Sequence, residues 1–231
     1  MGKKAVCLLS GGLDSCVSAY IAKNLGFDIY ALTFNYNQQH YKEINCAKLI
    51  SEDLNIKNHV IFNLDLNIFK GSILFKGSYK NQNKKLSDIG KKIPQTYVPA
   101  RNTIFLSIAL AYAEVIDANN IFIGVNSNDY SGYPDCRPEY IEAFQNLADL
   151  ATKKTINGDK IIINTPLLNL SKSEIIRKGF NLNVPFNKTW SCYKGDKNAC
   201  GKCESCLLRL KGFKDAKLKD QINYDYHPKW Y

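Results

Sequence analysis

An α/β fold, a parallel sheet with helices on both faces, is what this chain predicts, and three observations predict it. Five short apolar runs rich in β-branched residues recur between residues 5 and 165. Segments with helical spacing of apolar residues alternate with them. The first run ends in SGGLDS (10–15), a turn of small residues where a buried strand gives way to a helix. Such alternation reads as βαβ units, whose crossover helices cover both faces of the sheet.

The elements follow in order. AVCLL (5–9) is the first strand, and a helix is predicted over 14–25. DIYALTF (28–34) is the second, followed by a helix over roughly 40–54, and HVIFNL (59–64) is the third. Residues 66–97, rich in Lys, Asn, Gly and Ser, lack sustained periodicity. They read as a long connection, either disordered or a lid over a ligand. VPARN then opens a helix over 101–117; IFIGV (121–125) is the fourth strand, and a helix over 138–153 follows a polar loop. KIIINT (160–165) is the fifth strand. LSKSE opens a helix over 171–178, with Ser171 and Glu174 spaced as a capping box and Lys172 in the first turn. Residues 1–185 are expected to form the α/β domain, and residues 186–231 a smaller cysteine-bearing region.

At 231 residues the chain is long enough to bury roughly 70–75% of its unfolded surface, so its fold needs no disulfides. A net charge of +10 favours anionic partners: nucleotide phosphates, RNA or a carboxylate substrate. MGKKAVCLLSGG lacks the pattern of a signal peptide, and no apolar run approaches the ~20 residues of a membrane span. A cytoplasmic protein with no membrane contact is expected.

In SGGLDS, Gly11 and Gly12 permit a sharp turn and the close approach of a ligand. The N–H groups of the following helical turn, at the positive end of the helix dipole, make an anion site. Ser10 and Ser15 can add hydroxyl donors; Asp14 suits a magnesium ion or the capping of exposed N–H groups. No Lys-Ser/Thr follows the glycines, which excludes the P-loop, and the glycines lack the spacing of a dinucleotide fingerprint.

Cys7, Cys16, Cys46 and Cys136 are scattered, whereas Cys192, Cys200, Cys203 and Cys206 fall in CYKGDKNACGKCESC. Four thiolates at this spacing suit tetrahedral zinc, with Lys194, Lys197 and Lys202 offsetting the charge. The C-x2-C-x2-C portion also matches an iron–sulfur run, but the fourth cysteine lies upstream and no downstream Cys-Pro follows. Between the fourth strand and its helix, DYSGYPDCRPE offers Asp129 or Asp135 to a guanine-type edge and Tyr130 or Tyr133 to a ring face. Arg101, Arg137 or Lys172 can hold a carboxylate or phosphate.

SGGLDS resembles the signature of the ATP pyrophosphatase, or PP-loop, family. Together with VPARN, DYSGYPDCRPE, LSKSE and WSCYKG…CGKCESC in this order, about residues 5 to 213 are similar to the 7-cyano-7-deazaguanine synthase family. The resemblance implies a Rossmann-like ATP-dependent ligase, usually a homodimer with structural zinc. Its substrates would be 7-carboxy-7-deazaguanine, ammonia and ATP with Mg²⁺, and it would hold no stable nucleic acid. The carboxylate would be adenylated, converted to an amide, activated again and dehydrated to the nitrile. ATP would be bound by Leu8, Leu9, Ser10, Gly11, Gly12, Leu13, Asp14, Ser15, Cys16, Val17 and Ser18, with Arg101 and Asn102. Asp14 and Lys172 would be catalytic. Asp129, Tyr130, Tyr133, Asp135 and Arg137 would form the base site, and Cys192, Cys200, Cys203 and Cys206 the zinc site. One departure is NYNQQH (35–40) where the family reads close to DYGQRH; Asn37 and Gln39 replace glycine and arginine, and His40 is a minor candidate. Two rivals stand beside this reading: a PP-loop enzyme that thiolates or aminates RNA, and a zinc-ribbon nucleic-acid binder without catalysis.

Overall fold

The structure is a computed structural model, which describes residues 2–36, 41–66, 86, 89, 93–94, 96–127, 133–194 and 197–231. Expectations for Asn37, Gln39, His40, Asp129, Tyr130 and most of 66–97 lie outside the described residues.

Five strands form one parallel sheet in the order β3-β2-β1-β4-β5: β1 (Lys4–Leu8), β2 (Asp28–Asn35), β3 (Asn58–Asn63), β4 (Asn120–Phe122) and β5 (Ile162–Asn164). Each coincides with a predicted run. β1 lies in the middle, and the period-2 alternation of its side chains sorts them to opposite faces. Ala5 and Cys7 join one core cluster, Val6 and Leu8 the other. This explains why AVCLL is apolar throughout, as a strand covered on both faces must be.

The first face is covered by α1 (Leu13–Asn24), α2 (Tyr41–Asp53), α6 (Lys172–Asn181) and α7 (Glu204–Ala216), which contribute Val17, Ile50, Ile175 and Phe213 among others. The second is covered by α3 (Arg101–Val115) and α4 (Pro138–Ala151), through Leu106, Leu110, Ile141 and Phe144. The helix predicted over 138–153 is broken at Thr152, which leaves the helical conformation and starts the short α5 (Lys153–Ile156). α7 was not foreseen: LLRLKGF follows the cysteines closely, yet Leu207, Leu210 and Phe213 repeat at helical spacing and are buried.

Ser171 forms the predicted capping box. Its Oγ accepts from the Glu174 N–H at 3.3 Å, and the Glu174 carboxylate accepts from the Ser171 N–H at 2.7 Å. The box sets the start of α6 and hence the place of Lys172. Ser171→Ala is expected to lower unfolding free energy by about 1 kcal/mol, measured by urea denaturation.

Candidate active site and metal centre

The carboxyl ends of β1 and β4 flank the point where strand order reverses, the usual place for a ligand in an open parallel sheet. A cavity of about 310 Å³ opens there. Leu8, Leu9, Ser10, Gly12, Leu13, Asp14 and Ser15 line one side, and Arg101, Asn102 and Tyr133 line another.

SGGLDS is internally braced. Ser15 Oγ accepts from the Ser10 N–H at 3.1 Å and donates to the Gly12 carbonyl at 3.0 Å. Ser10 Oγ accepts from the Gly12 N–H at 3.3 Å and lies 2.9 Å from Ser15 Oγ. The serines expected to greet a ligand therefore also shape the loop. α1 begins at Leu13 without a side-chain cap, which leaves its first-turn N–H groups and its dipole turned toward the cavity wall.

Gly11 stands outside the lining, at φ +82°. A Cβ there would come 2.1 Å from the Glu43 carbonyl oxygen, so this glycine admits α2 rather than a ligand. Gly124, just after β4, is equally confined, since its Cβ would lie 2.8 Å from the Asp14 carbonyl and the Ser15 nitrogen. Cys16, Val17 and Ser18 are buried along α1 behind the cavity.

Asp14 reaches the cavity wall, while Lys172 grips both its oxygens at 2.7 and 2.8 Å from outside the lining. The two residues expected to be catalytic are thus one ion pair. Arg101, the first residue of α3, donates to the Tyr36 hydroxyl at 3.3 Å. A cation at a helix start opposes the dipole, which makes an anion beside it favourable. Asp135 is buried outside the lining; its carboxylate accepts from the Asn102 N–H at 2.9 Å, and its carbonyl accepts from the Asn102 side chain at 2.9 Å. It holds the start of α3. Arg137 is exposed and donates to the Pro134 carbonyl at 3.3 Å, away from the lining.

Several lining residues carry no sequence assignment: Tyr36, Glu43, Phe105, Trp190, Ser191, Tyr193 and Ser205. Burial pushes the Glu43 carboxyl up to about 7, with Arg101 pulling it down and Cys192 pushing further. An acidic residue in the first turn of a helix reads from sequence as ordinary dipole pairing, which hid it. Trp190 lies in WSCYKG, and it also has partners far along the chain: its backbone N–H donates to the Gly11 carbonyl at 2.9 Å, and Lys42 Nζ sits 3.3 Å from its ring centroid.

Next to this segment, the sulfurs of Cys192, Cys200, Cys203 and Cys206 lie within 4.8 Å of one another, all buried. Metal–sulfur bonds near ~2.3 Å in a tetrahedron would place them about 3.8 Å apart, so a small inward shift accommodates an ion. The surrounding amides suit thiolates. Lys194 and Cys200 N–H groups donate to Cys192 Sγ, at 3.4 and 3.3 Å. Those of Lys202 and Cys203 donate to Cys200 Sγ, at 3.5 and 3.4 Å, and that of Cys206 to Cys203 Sγ at 3.4 Å. Cys203 is the cap of α7, whose dipole also favours a thiolate. The cluster can hold a metal ion. Beneath it, the Arg209 guanidinium pairs with Asp220 at 2.7 and 2.9 Å and donates to Thr189, Ser191 and the Phe186 carbonyl. Arg209 thereby ties the tail to the segment that carries Trp190.

A family model described as Queuosine biosynthesis protein QueC matches residues 4–217. The chain belongs to the QueC family. Among QueC relatives, a 7-cyano-7-deazaguanine synthase of Desulfatibacillum aliphaticivorans is 52% identical over 225 residues, covering 96% of this chain and 97% of its own. One of Thermoplasma volcanium is 49% identical over 231 residues, covering 100% of this chain and 95% of its own. One of Coxiella burnetii strain RSA 331 / Henzerling II is 51% identical, covering 96% and 98%. QueC membership extends through all four clustered cysteines and through SGGLDS, so both features belong to one protein type. Among the described residues, no helix is long and apolar enough to cross a membrane.

Proposed function

We propose that this chain is an ATP-dependent carbon–nitrogen ligase, which converts 7-carboxy-7-deazaguanine and ammonia to 7-cyano-7-deazaguanine in queuosine biosynthesis. The observation that carries the reading is the SGGLDS turn, which forms a wall of the cavity at the strand-order reversal with an uncapped helix start behind it. The names of the relatives, 7-cyano-7-deazaguanine synthases, support the product.

The substrate carboxylate is a poor acceptor for an amine, because its oxygen leaves badly and its charge repels nucleophiles. Its attack on the α-phosphate of ATP turns that oxygen into part of AMP. The first-turn amides of α1 receive the departing pyrophosphate, charge stabilisation by dipoles already in place, and the hydroxyls of Ser10 and Ser15 hold the loop that presents them. Asp14 is the residue that would hold Mg²⁺, which neutralises phosphate charge when bound; Lys172 fixes its orientation. Arg101 attracts the anionic substrate, with Asn102 beside it, and Tyr133 flanks the base. Asp129 and Tyr130 complete the proposed base site, while Asp135 serves it by anchoring α3, and Arg137 stands at its outer edge.

Ammonia displaces AMP to give the amide. A second activation at the amide oxygen, followed by elimination, gives the nitrile. Cys192, Cys200, Cys203 and Cys206 would hold Zn²⁺, which supplies a cross-link for the 186–231 region rather than a reactive centre. A cytoplasmic homodimer fits this reading; exposed Leu147, Leu150, Ile156 and Ile162 offer apolar surface to a second copy.

Mass spectrometry of the protein incubated with 7-carboxy-7-deazaguanine, ammonium and MgATP is expected to show the nitrile, with the amide as a transient and AMP as the nucleotide product. Unchanged carboxylate with intact ATP would sink the reading.

A further inference from the structure

Amination at neutral pH has a requirement that adenylation does not meet. Ammonia in water is mostly ammonium, which has no lone pair and cannot attack a carbonyl. A group in the cavity that draws in this cation and takes a proton from it would raise the supply of ammonia where the adenylate sits.

Asp14 and Glu43 are the two carboxylates among the described lining residues. Asp14 is paired with Lys172 through both oxygens and is the carboxylate assigned to Mg²⁺ above, a cation that keeps it ionised. Burial raises the acidic groups of Tyr36, Tyr133 and Cys136, so they stay protonated and accept no proton. Glu43 is left. Its position is fixed by the fold: the first turn of α2 lies against Gly11, with no room for a single methyl group between them. The glutamate therefore belongs to the same rigid unit as the phosphate-binding turn.

We propose that Glu43 receives the ammonium ion and takes its proton, releasing the ammonia that attacks the adenylated substrate. This rests on the reaction proposed above. The Glu43 carboxylate and NH4⁺ become the carboxylic acid and NH3. The ammonia lone pair forms the C–N bond, the C–O bond to AMP breaks with its electron pair, and the proton shed by the new C–N nitrogen passes to water. Arg101, which lines the same cavity and whose charge helps keep the Glu43 carboxyl ionised, holds the anionic substrate while Glu43 serves the cationic one.

The test compares ammonium with hydroxylamine, which is already a free base at neutral pH and needs no deprotonation before attack. Glu43→Gln is expected to cut turnover with ammonium by about 100-fold, the ordinary scale of a lost general base. Turnover to the hydroxamate should fall by less than about 10-fold, the same scale less the proton transfer. Equal losses for the two nucleophiles, or ammonium turnover at the wild-type rate, would overturn the proposal. Glu43→Asp, which keeps a carboxylate, should recover part of the ammonium turnover; an aspartate variant no better than the glutamine one also overturns it. Wild-type protein that consumes no ATP with the carboxylate substrate would instead remove the reaction itself, an outcome distinct from either mutant result.

Discussion

Gly11→Ala is expected to cut ATP-dependent turnover by at least about 100-fold, since displacements near 1 Å carry penalties of that size. The added Cβ would stand 2.1 Å from the Glu43 carbonyl oxygen, 2.9 Å from the Ala47 nitrogen and 3.0 Å from Cys46 Cβ. Two of those neighbours are backbone atoms, so no side chain can swing away; either the turn or α2 must move. The left-handed φ of +82° adds about 1–2 kcal/mol of its own. With overpacking of about 1–3 kcal/mol, the melting temperature should drop by roughly 4–20 °C. Gly26 provides the control, because it has the same φ of +82° and nothing within 4 Å of its Cβ position. Gly26→Ala should pay only the conformational strain and keep its turnover. Equal loss of activity in both variants would refute a special role for the contact between the turn and α2.

Cys203→Ser is expected to remove the metal and most of the stability of the C-terminal region. This residue supplies one of the four clustered sulfurs and accepts the Cys206 N–H as the cap of α7. Losing one of four thiolates forfeits several kcal/mol of a binding energy that totals about 10–16 kcal/mol for structural zinc. Elemental analysis should find zinc near one equivalent in the wild-type protein and far below it in the variant. Turnover should fall with it, since Cys192 stands two residues from Trp190 and next to Ser191, both in the cavity wall. A stable, fully active variant with no metal would contradict this.

The fold was legible because its main signals are local. A strand covered on both faces reads as a solid apolar run, and all five runs became neighbours in one parallel sheet. The cysteine cluster was legible for the same reason, as its spacing brings all four sulfurs together. The cavity was only half legible. SGGLDS, Arg101, Asn102 and Tyr133 carry their meaning in short motifs, whereas Glu43 and Trp190 acquire theirs from partners far along the chain. Asp135 illustrates the converse: a carboxylate in a promising loop turned inward to hold Asn102. Sequence order does not say which way a side chain faces, and burial decided it there.

The hydrogen bond from the Trp190 backbone N–H to the Gly11 carbonyl joins positions 179 residues apart in the sequence. During synthesis on the ribosome, β1 emerges first, but its neighbour β4 and the tryptophan that braces its turn emerge much later. Such distant pairings delay folding, because the intervening chain must be ordered before they form. The turn at the cavity wall therefore stays unbraced in a nascent polypeptide until the segment around Trp190 has emerged and folded back onto Gly11.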